Sequence, residues 1–126
     1  MKVLVDSSVW IDYFRGTGSA DVVEPLIGEN LVVTNDLILA ELLPPLQLRR
    51  QRRLIGLLRT IARQPMRIDW EEIVQMQVTC LRQGISRVGI PDLIIAQHAR
   101  RHGLELLTLD RHFVLMSRHL PLVLHG

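Results

Sequence analysis

Lysine is nearly absent from this chain: Lys2 is the only one, and the other fourteen of its fifteen basic residues are arginine. Arginine's planar guanidinium suits bidentate contacts to phosphate and carboxylate. Cysteine occurs once, as Cys80. That excludes an internal disulfide framework and a cysteine-based zinc finger, and it points to a reducing, cytoplasmic setting. Aromatic residues make up 4%, too few for a row of base-stacking platforms. No apolar run approaches the roughly 20 residues that a membrane helix needs. The opening Met1–Asp6 is a short apolar run closed by a carboxylate, which a secretory leader would not be. There are no internal repeats and no stretch of Pro, Gly or Ser long enough to act as a linker.

What remains is a chain of 126 residues, 48% hydrophobic and 22% charged, with a net charge of +2. That length fits one domain, residues 1–126, able to bury roughly two thirds of its unfolded surface. The hydrophobic content excludes a disordered tail, and the near-balanced charge does not by itself indicate a nucleic-acid partner.

Short runs rich in Val, Ile and Leu read as strands: Lys2–Val5, Leu31–Thr34, Glu105–Leu109, and more weakly Leu122–Leu124 and Met66–Ile68. Helical patterns lie between them, at Val9–Phe14, Ala20–Ile27, Asp36–Leu43, Gln51–Arg63, Trp70–Gln83 and Pro91–His102. The third should end at Pro44, because the residue before a proline avoids the α region. Strands alternating with helices predict an α/β fold: a mostly parallel central sheet of four to five strands flanked by helices on both faces. Continuously apolar strands agree with a sheet covered on both sides.

In such sheets ligands bind beyond the carboxyl ends of the strands. Asp6 directly follows Val3-Leu4-Val5, and Asp110 directly follows Leu106-Leu107-Thr108-Leu109. Either could simply start a turn or cap a helix, but two at equivalent strand ends suggest a site. Glu41 is the only charge between Asp36 and Arg49, and a charge on an apolar helix is costly unless paired or bound to a cation. Asp92 follows Pro91, where an acid complements the helix dipole, and it shares a face with Ile95, Ala96 and Ala99 that can approach the sheet. Four converging carboxylates would repel and raise one another's pKa. A divalent cation removes that penalty, and hard oxygen ligands without His or Cys suit Mg²⁺ or Mn²⁺. Such sites perform phosphoryl chemistry.

The segments Asp6-Ser7-Ser8-Val9-Trp10-Ile11-Asp12, Ala40-Glu41-Leu42, Ile90-Pro91-Asp92-Leu93-Ile94-Ile95-Ala96 and Leu107-Thr108-Leu109-Asp110-Arg111-His112-Phe113 resemble, in order, the successive motifs of PIN-domain ribonucleases. The resemblance spans the whole chain and is closest to VapC-type toxins of bacterial toxin–antitoxin pairs. It implies a Mg²⁺- or Mn²⁺-dependent endoribonuclease with metal-site roles for Asp6, Glu41, Asp92 and Asp110. Ser8 matches a family position near the metal, and a helix N-cap is an equally good explanation for it. Asp12, at least one turn from Asp6, is not expected to touch the metal. The resemblance further implies a VapB-type antitoxin whose tail masks the acidic groove, an RNA substrate, and a homodimer through the first helices and the region after Pro45. Pro44-Pro45 departs from the family pattern, and a kink there would alter the aim of Glu41.

Arg49, Arg50, Arg52 and Arg53 form the densest charge in the chain. They suit an RNA backbone, an acidic partner, or the solvated face of an amphipathic helix. His98 and His102 have zinc-compatible i, i+4 spacing, but the adjacent Arg100 and Arg101 repel a cation, and surface histidines are expected. Cys80, Trp10 and Trp70 read as packing residues. Two other function classes compete. A phosphoacceptor receiver domain needs a central acceptor Asp and a late Lys, which the sequence lacks. A catalytically inert RNA- or protein-binding module on the same fold would have no need to keep all four acids.

Overall fold

The computed structural model describes residues 1–126. In chain order the elements are β1 (Val3–Val5), α1 (Ser7–Arg15), α2 (Ala20–Gly28), β2 (Val32–Thr34), α3 (Asp36–Leu48), α4 (Arg52–Thr60), β3 (Ala62–Arg63), α5 (Trp70–Arg82), α6 (Ile90–Arg101), β4 (Glu105–Leu107) and α7 (Arg111–Ser117). The four strands form one sheet in the order β3-β2-β1-β4, and every pairing is parallel. Parallel strands need crossover connections, which the helices supply. Val3, Leu4 and Val5 are all buried. Successive strand residues point to opposite faces, so both faces of the sheet are covered. The expected α/β class and parallel sheet are present.

Register aligns the carboxyl edge of the sheet. Leu4 pairs with Leu106 and Val5 with Leu107, so both strands leave the sheet at the same level, delivering Asp6 and Thr108 side by side. Asp6 N donates to Leu107 O at 2.9 Å, and Asp6 O accepts from Val9 N and Trp10 N. Asp6 is thus held between the end of β4 and the first turn of α1. Helix α6 is the spine of the core: Leu93 through Ala99 are all buried. Gln97, inside that run, is satisfied across to α5, where its amide bonds Asp69 N, Asp69 O and Glu72 Oε1.

Several sequence expectations are corrected. Helix α3 does not stop at Pro44 but runs through Pro44-Pro45 to Leu48. The two prolines cannot donate to the carbonyls of Ala40 and Glu41. Those residues are exposed, so water can take up the freed acceptors. Beyond the prolines the ladder resumes, with Arg49 N on Pro45 O at 3.1 Å. Arg50, at φ 54°, turns the chain into α4. The helix expected to reach Arg63 ends at Thr60, and Ala62–Arg63 instead join β2 as the edge strand β3. Met66–Ile68 is not a strand, and Leu122–Leu124 contributes only a single bridge, Leu124 to Leu106. Helix α7 is an addition to the expected elements; Phe113 and Met116 anchor it in the core.

Trp10 is fully buried, as expected of a packing residue, whereas Trp70 is exposed at the start of α5. Cys80 is a buried thiol. His98 is not a surface histidine: it is 4% exposed, and its Nε2 has no hydrogen-bond partner. Burial, with the nearby His102, pushes its pKa down to about 4. No helix is long and apolar enough to cross a membrane.

Candidate metal centre

The end of β1 carries Asp6, almost fully buried. Ser8 Oγ donates to Asp6 Oδ2 at 2.7 Å, and Thr108 Oγ1 donates to the same oxygen at 2.9 Å. No group in the chain hydrogen-bonds Oδ1, which leaves that oxygen available to a ligand. Ser8 lies within α1, whose N-cap is Asp6; Ser8 is therefore not a cap but a strut. Its Oγ also accepts from Leu109 N at 3.1 Å, tying the β4–α7 turn to α1.

That turn presents the second carboxylate. Asp110 N donates to Thr108 Oγ1 at 3.0 Å. Asp110 Oδ1 accepts from His112 N at 2.9 Å, capping α7, and lies 3.0 Å from His112 Nδ1. Asp92 enters from the first turn of α6, two residues after Ile90, and accepts from Gly89 N at 3.4 Å. Ligand atoms of Asp92, Asp110 and His112 all lie within 4.8 Å of one another. His112 is absent from the residues expected on sequence grounds. Its pairing with Asp110 is legible in the short spacing, but its approach to Asp92 comes only from packing α7 beside the start of α6.

Asp6 and Glu41 stand outside this tight group but share its field. Burial raises the Asp92 pKa, the charge of Asp110 raises it further and Asp6 adds a lesser push, against lowering by the Gly89 N–H and, least, by His112. Glu41 is exposed as a residue, but partial desolvation of its carboxylate raises its pKa too, followed by the charges of Asp6 and Asp92. Glu41 reaches this edge because α3 begins directly after β2. Asn35 caps it by accepting from Ile38 N at 2.9 Å, and Glu41 follows about one and a half turns later. Helix α3 continues unbroken past Pro44-Pro45. Asp12 does not join the group. It accepts hydrogen bonds from Ser19 and Thr17, which lower its pKa, and it pins the α1–α2 loop.

The donor set fits a hard divalent cation. Carboxylates made to repel one another, with an imidazole beside them, gain from a shared positive charge. A groove of about 380 Å³ runs from Glu41 between α1, α3 and α4, lined by Ile11, Phe14, Leu42, Leu46 and Leu54, with Arg15 and Arg49 on its walls. Gln51 and Leu54 continue it toward Arg53 and Leu57. Arg50 and Arg52 are exposed at the α3–α4 turn.

Parallel sheet and acidic carboxyl edge together define an α/β protein with a cluster of acidic side chains at the ends of its strands. A family model, the PIN domain, matches residues 3–118, and the chain belongs to that family. The fold is similar to a chain in the VapBC2 complex of Rickettsia felis bound to a promoter DNA fragment, with a TM-score of 0.77 and 16% identity over 99% of this chain and 98% of that one. It is similar to one in the DNA-bound VapBC of Salmonella typhimurium, at TM-score 0.77 and 18% identity over 99% and 97%. A third likeness is to VapBC-1 of nontypeable Haemophilus influenzae, at TM-score 0.71 and 18% identity over 100% and 98%. Comparison with curated proteins gives no match.

Proposed function

We propose that the chain is a metal-dependent endoribonuclease acting as the toxin of a toxin–antitoxin pair. The observation that carries this reading is the approach of Asp92, Asp110 and His112 within 4.8 Å, beside Asp6 and in the field of Glu41. Asp92, Asp110, His112 and the free Oδ1 of Asp6 would hold Mg²⁺ or Mn²⁺. The bound ion supplies charge neutralisation at the scissile phosphodiester and a water of lowered pKa.

The chain's own residues supply the rest. Thr108 and Ser8 hold Asp6 so that its unbonded oxygen faces the site. Glu41, whose raised pKa lets it hold a proton more readily than free glutamate, accepts the proton released by the attacking water. Arg49 and its neighbours Arg50, Arg52 and Arg53 line or flank the route along which a polyanion would approach.

The solved structures named above are complexes of VapB with VapC, and the apolar groove beside Glu41 suits the same arrangement here. A VapB-type antitoxin tail laying apolar side chains against Ile11, Phe14 and Leu46 would bring a basic residue to Glu41 and the acids beyond it. The test is cleavage of single-stranded RNA by purified Asp6→Asn and Asp92→Asn variants. Both should be inactive while their circular dichroism matches the parent. Retention of more than a few per cent of parental cleavage by either variant overturns the reading.

A further inference from the structure

Helix α6 ends on two histidines one turn apart. His102 N donates to His98 O at 3.2 Å, so the last turn is still closed at the pair. The ring centres lie 4.8 Å apart with the planes tilted by 55°, which is not a stacked arrangement. An ion held by two imidazole nitrogens at about 2.0–2.1 Å in tetrahedral geometry sets the ring centres about 5 Å apart. His98 is buried and its Nε2 has no hydrogen-bond partner, a costly omission for a polar atom taken out of water. His102 is exposed, so the pair runs from the core to the solvent.

The two arginines that speak against a cation here are accounted for by the fold. Arg100 is ion-paired to Glu72, and Arg101 to Asp69 at 3.2 Å. At about 100° per residue, Arg100 also lies on the side of α6 opposite the pair. The C-terminal end of the helix dipole adds a negative potential that favours a positive charge. His98, its pKa pushed down to about 4 by burial, is a neutral ligand at neutral pH with no extra proton to release before binding.

We propose that His98 and His102 form a second metal site, separate from the acidic edge, that takes a transition-metal ion of the Zn²⁺ or Ni²⁺ class. Imidazole nitrogen suits such ions, whereas the carboxylates at the other end of α6 suit hard ones. The ion enters from the His102 side, breaks no hydrogen bond of the His98 ring, and keeps water in its remaining positions. Asp92 stands six residues before His98, about 9 Å away along the helix axis, so one helix carries a ligand of each site. The proposal does not rest on the nuclease reading.

Zn²⁺ titration of the full chain, carrying no histidine tag and labelled with nitrogen-15 in its histidine rings, tests the site. Long-range proton–nitrogen spectra distinguish the five histidines and report which ring nitrogen binds. His98 and His102 should respond together, with one midpoint. His112 responds to filling of the acidic edge, so the two sites are read separately in one spectrum. His102→Gln, which leaves the core untouched, should weaken the His98 response at least about tenfold, since loss of even an outer partner of a metal ligand costs that much. His98→Gln should do the same to the His102 response. Asp110→Asn should alter the His112 response and leave the midpoint of the pair in place, and Mg²⁺ should move neither His98 nor His102. Any of four results overturns the proposal: a His98 ring unmoved by Zn²⁺ up to about 1 mM, a His102 response of unchanged midpoint in His98→Gln, a pair response that Asp110→Asn abolishes, or an equal response to Mg²⁺.

Discussion

Thr108 Oγ1 donates to Asp6 Oδ2 at 2.9 Å, joining the end of β4 to the end of β1. The same hydroxyl oxygen accepts from Asp110 N, so one threonine sets two of the acids. Thr108→Val keeps the shape and removes the hydroxyl. Stability should fall by about 1–2 kcal/mol, because Asp6 Oδ2 loses one of its two donors and the Asp110 N–H is left without a partner. Urea unfolding measures that. Cleavage should fall further than stability explains, and Thr108→Ser should recover most of it. Equal activity in Thr108→Val and the parent would remove Thr108 from the positioning role.

Asp92→Asn should stabilise the metal-free protein in chelator at neutral pH. The folded-state pKa of Asp92 is raised from the ordinary 3.8, by burial first and then by Asp110. A raised carboxylate pKa means that the folded state binds the proton more tightly than the unfolded chain. Its penalty is present above the folded value and is relieved as pH falls toward 3.8. Glu41, raised from 4.5, acts in the same direction. The gain from Asp92→Asn should therefore be largest at neutral pH and shrink in acid. A gain that grows in acid contradicts the assigned repulsion.

His98 works in the opposite direction. Its folded pKa is about 4 against an ordinary 6.5, so the unfolded chain takes up the proton first. Stability is lost as pH falls from about 6.5 toward 4, by about 2 kcal/mol between pH 7 and pH 5. His98→Leu should remove that part of the acid sensitivity. The comparison needs unfolding curves at both pH values for parent and variant.

The acids at strand ends are readable because a hydrophobic strand and its terminal carboxylate are adjacent in the chain. Asp6 and Asp92 need only local pattern to find, and the Asp110 cap needs only its neighbours. His112 escapes such reading, because its closeness to Asp92 is produced by tertiary packing between two helix starts. The two-residue strand β3 has no pattern of its own and exists through its pairing with Val33 and Thr34. The run of α3 through Pro44-Pro45 defeats a sound local rule, since exposed carbonyls at Ala40 and Glu41 make the missing donors tolerable. Trp70 and His98 show the converse limit: residue type alone points to the wrong side of the surface in both cases.

Reversing two arginines, Arg52→Glu with Arg53→Glu, should weaken binding of unrelated single-stranded RNAs. For each phosphate that the variant no longer neutralises, the slope of log K against log salt should become shallower by about 0.7. The rate at saturating RNA should change little, because the carboxylates are untouched. Weakened antitoxin binding with unchanged RNA affinity would instead give the cluster to the partner.

The central claim is that the acidic edge binds a divalent ion and uses it to cut RNA. The direct measurement follows thermal unfolding and RNA cleavage on one purified sample. The sample is stripped with chelator and then titrated with Mn²⁺ or Mg²⁺. Stripped protein should be folded and inactive. At an ion concentration about 100 times the dissociation constant, stability should rise by about 2.7 kcal/mol, with cleavage appearing over the same titration. Asp110→Asn and His112→Ala should shift both curves together to higher ion concentration. Full cleavage by the stripped protein, or an unchanged unfolding curve at saturating ion, would contradict the account.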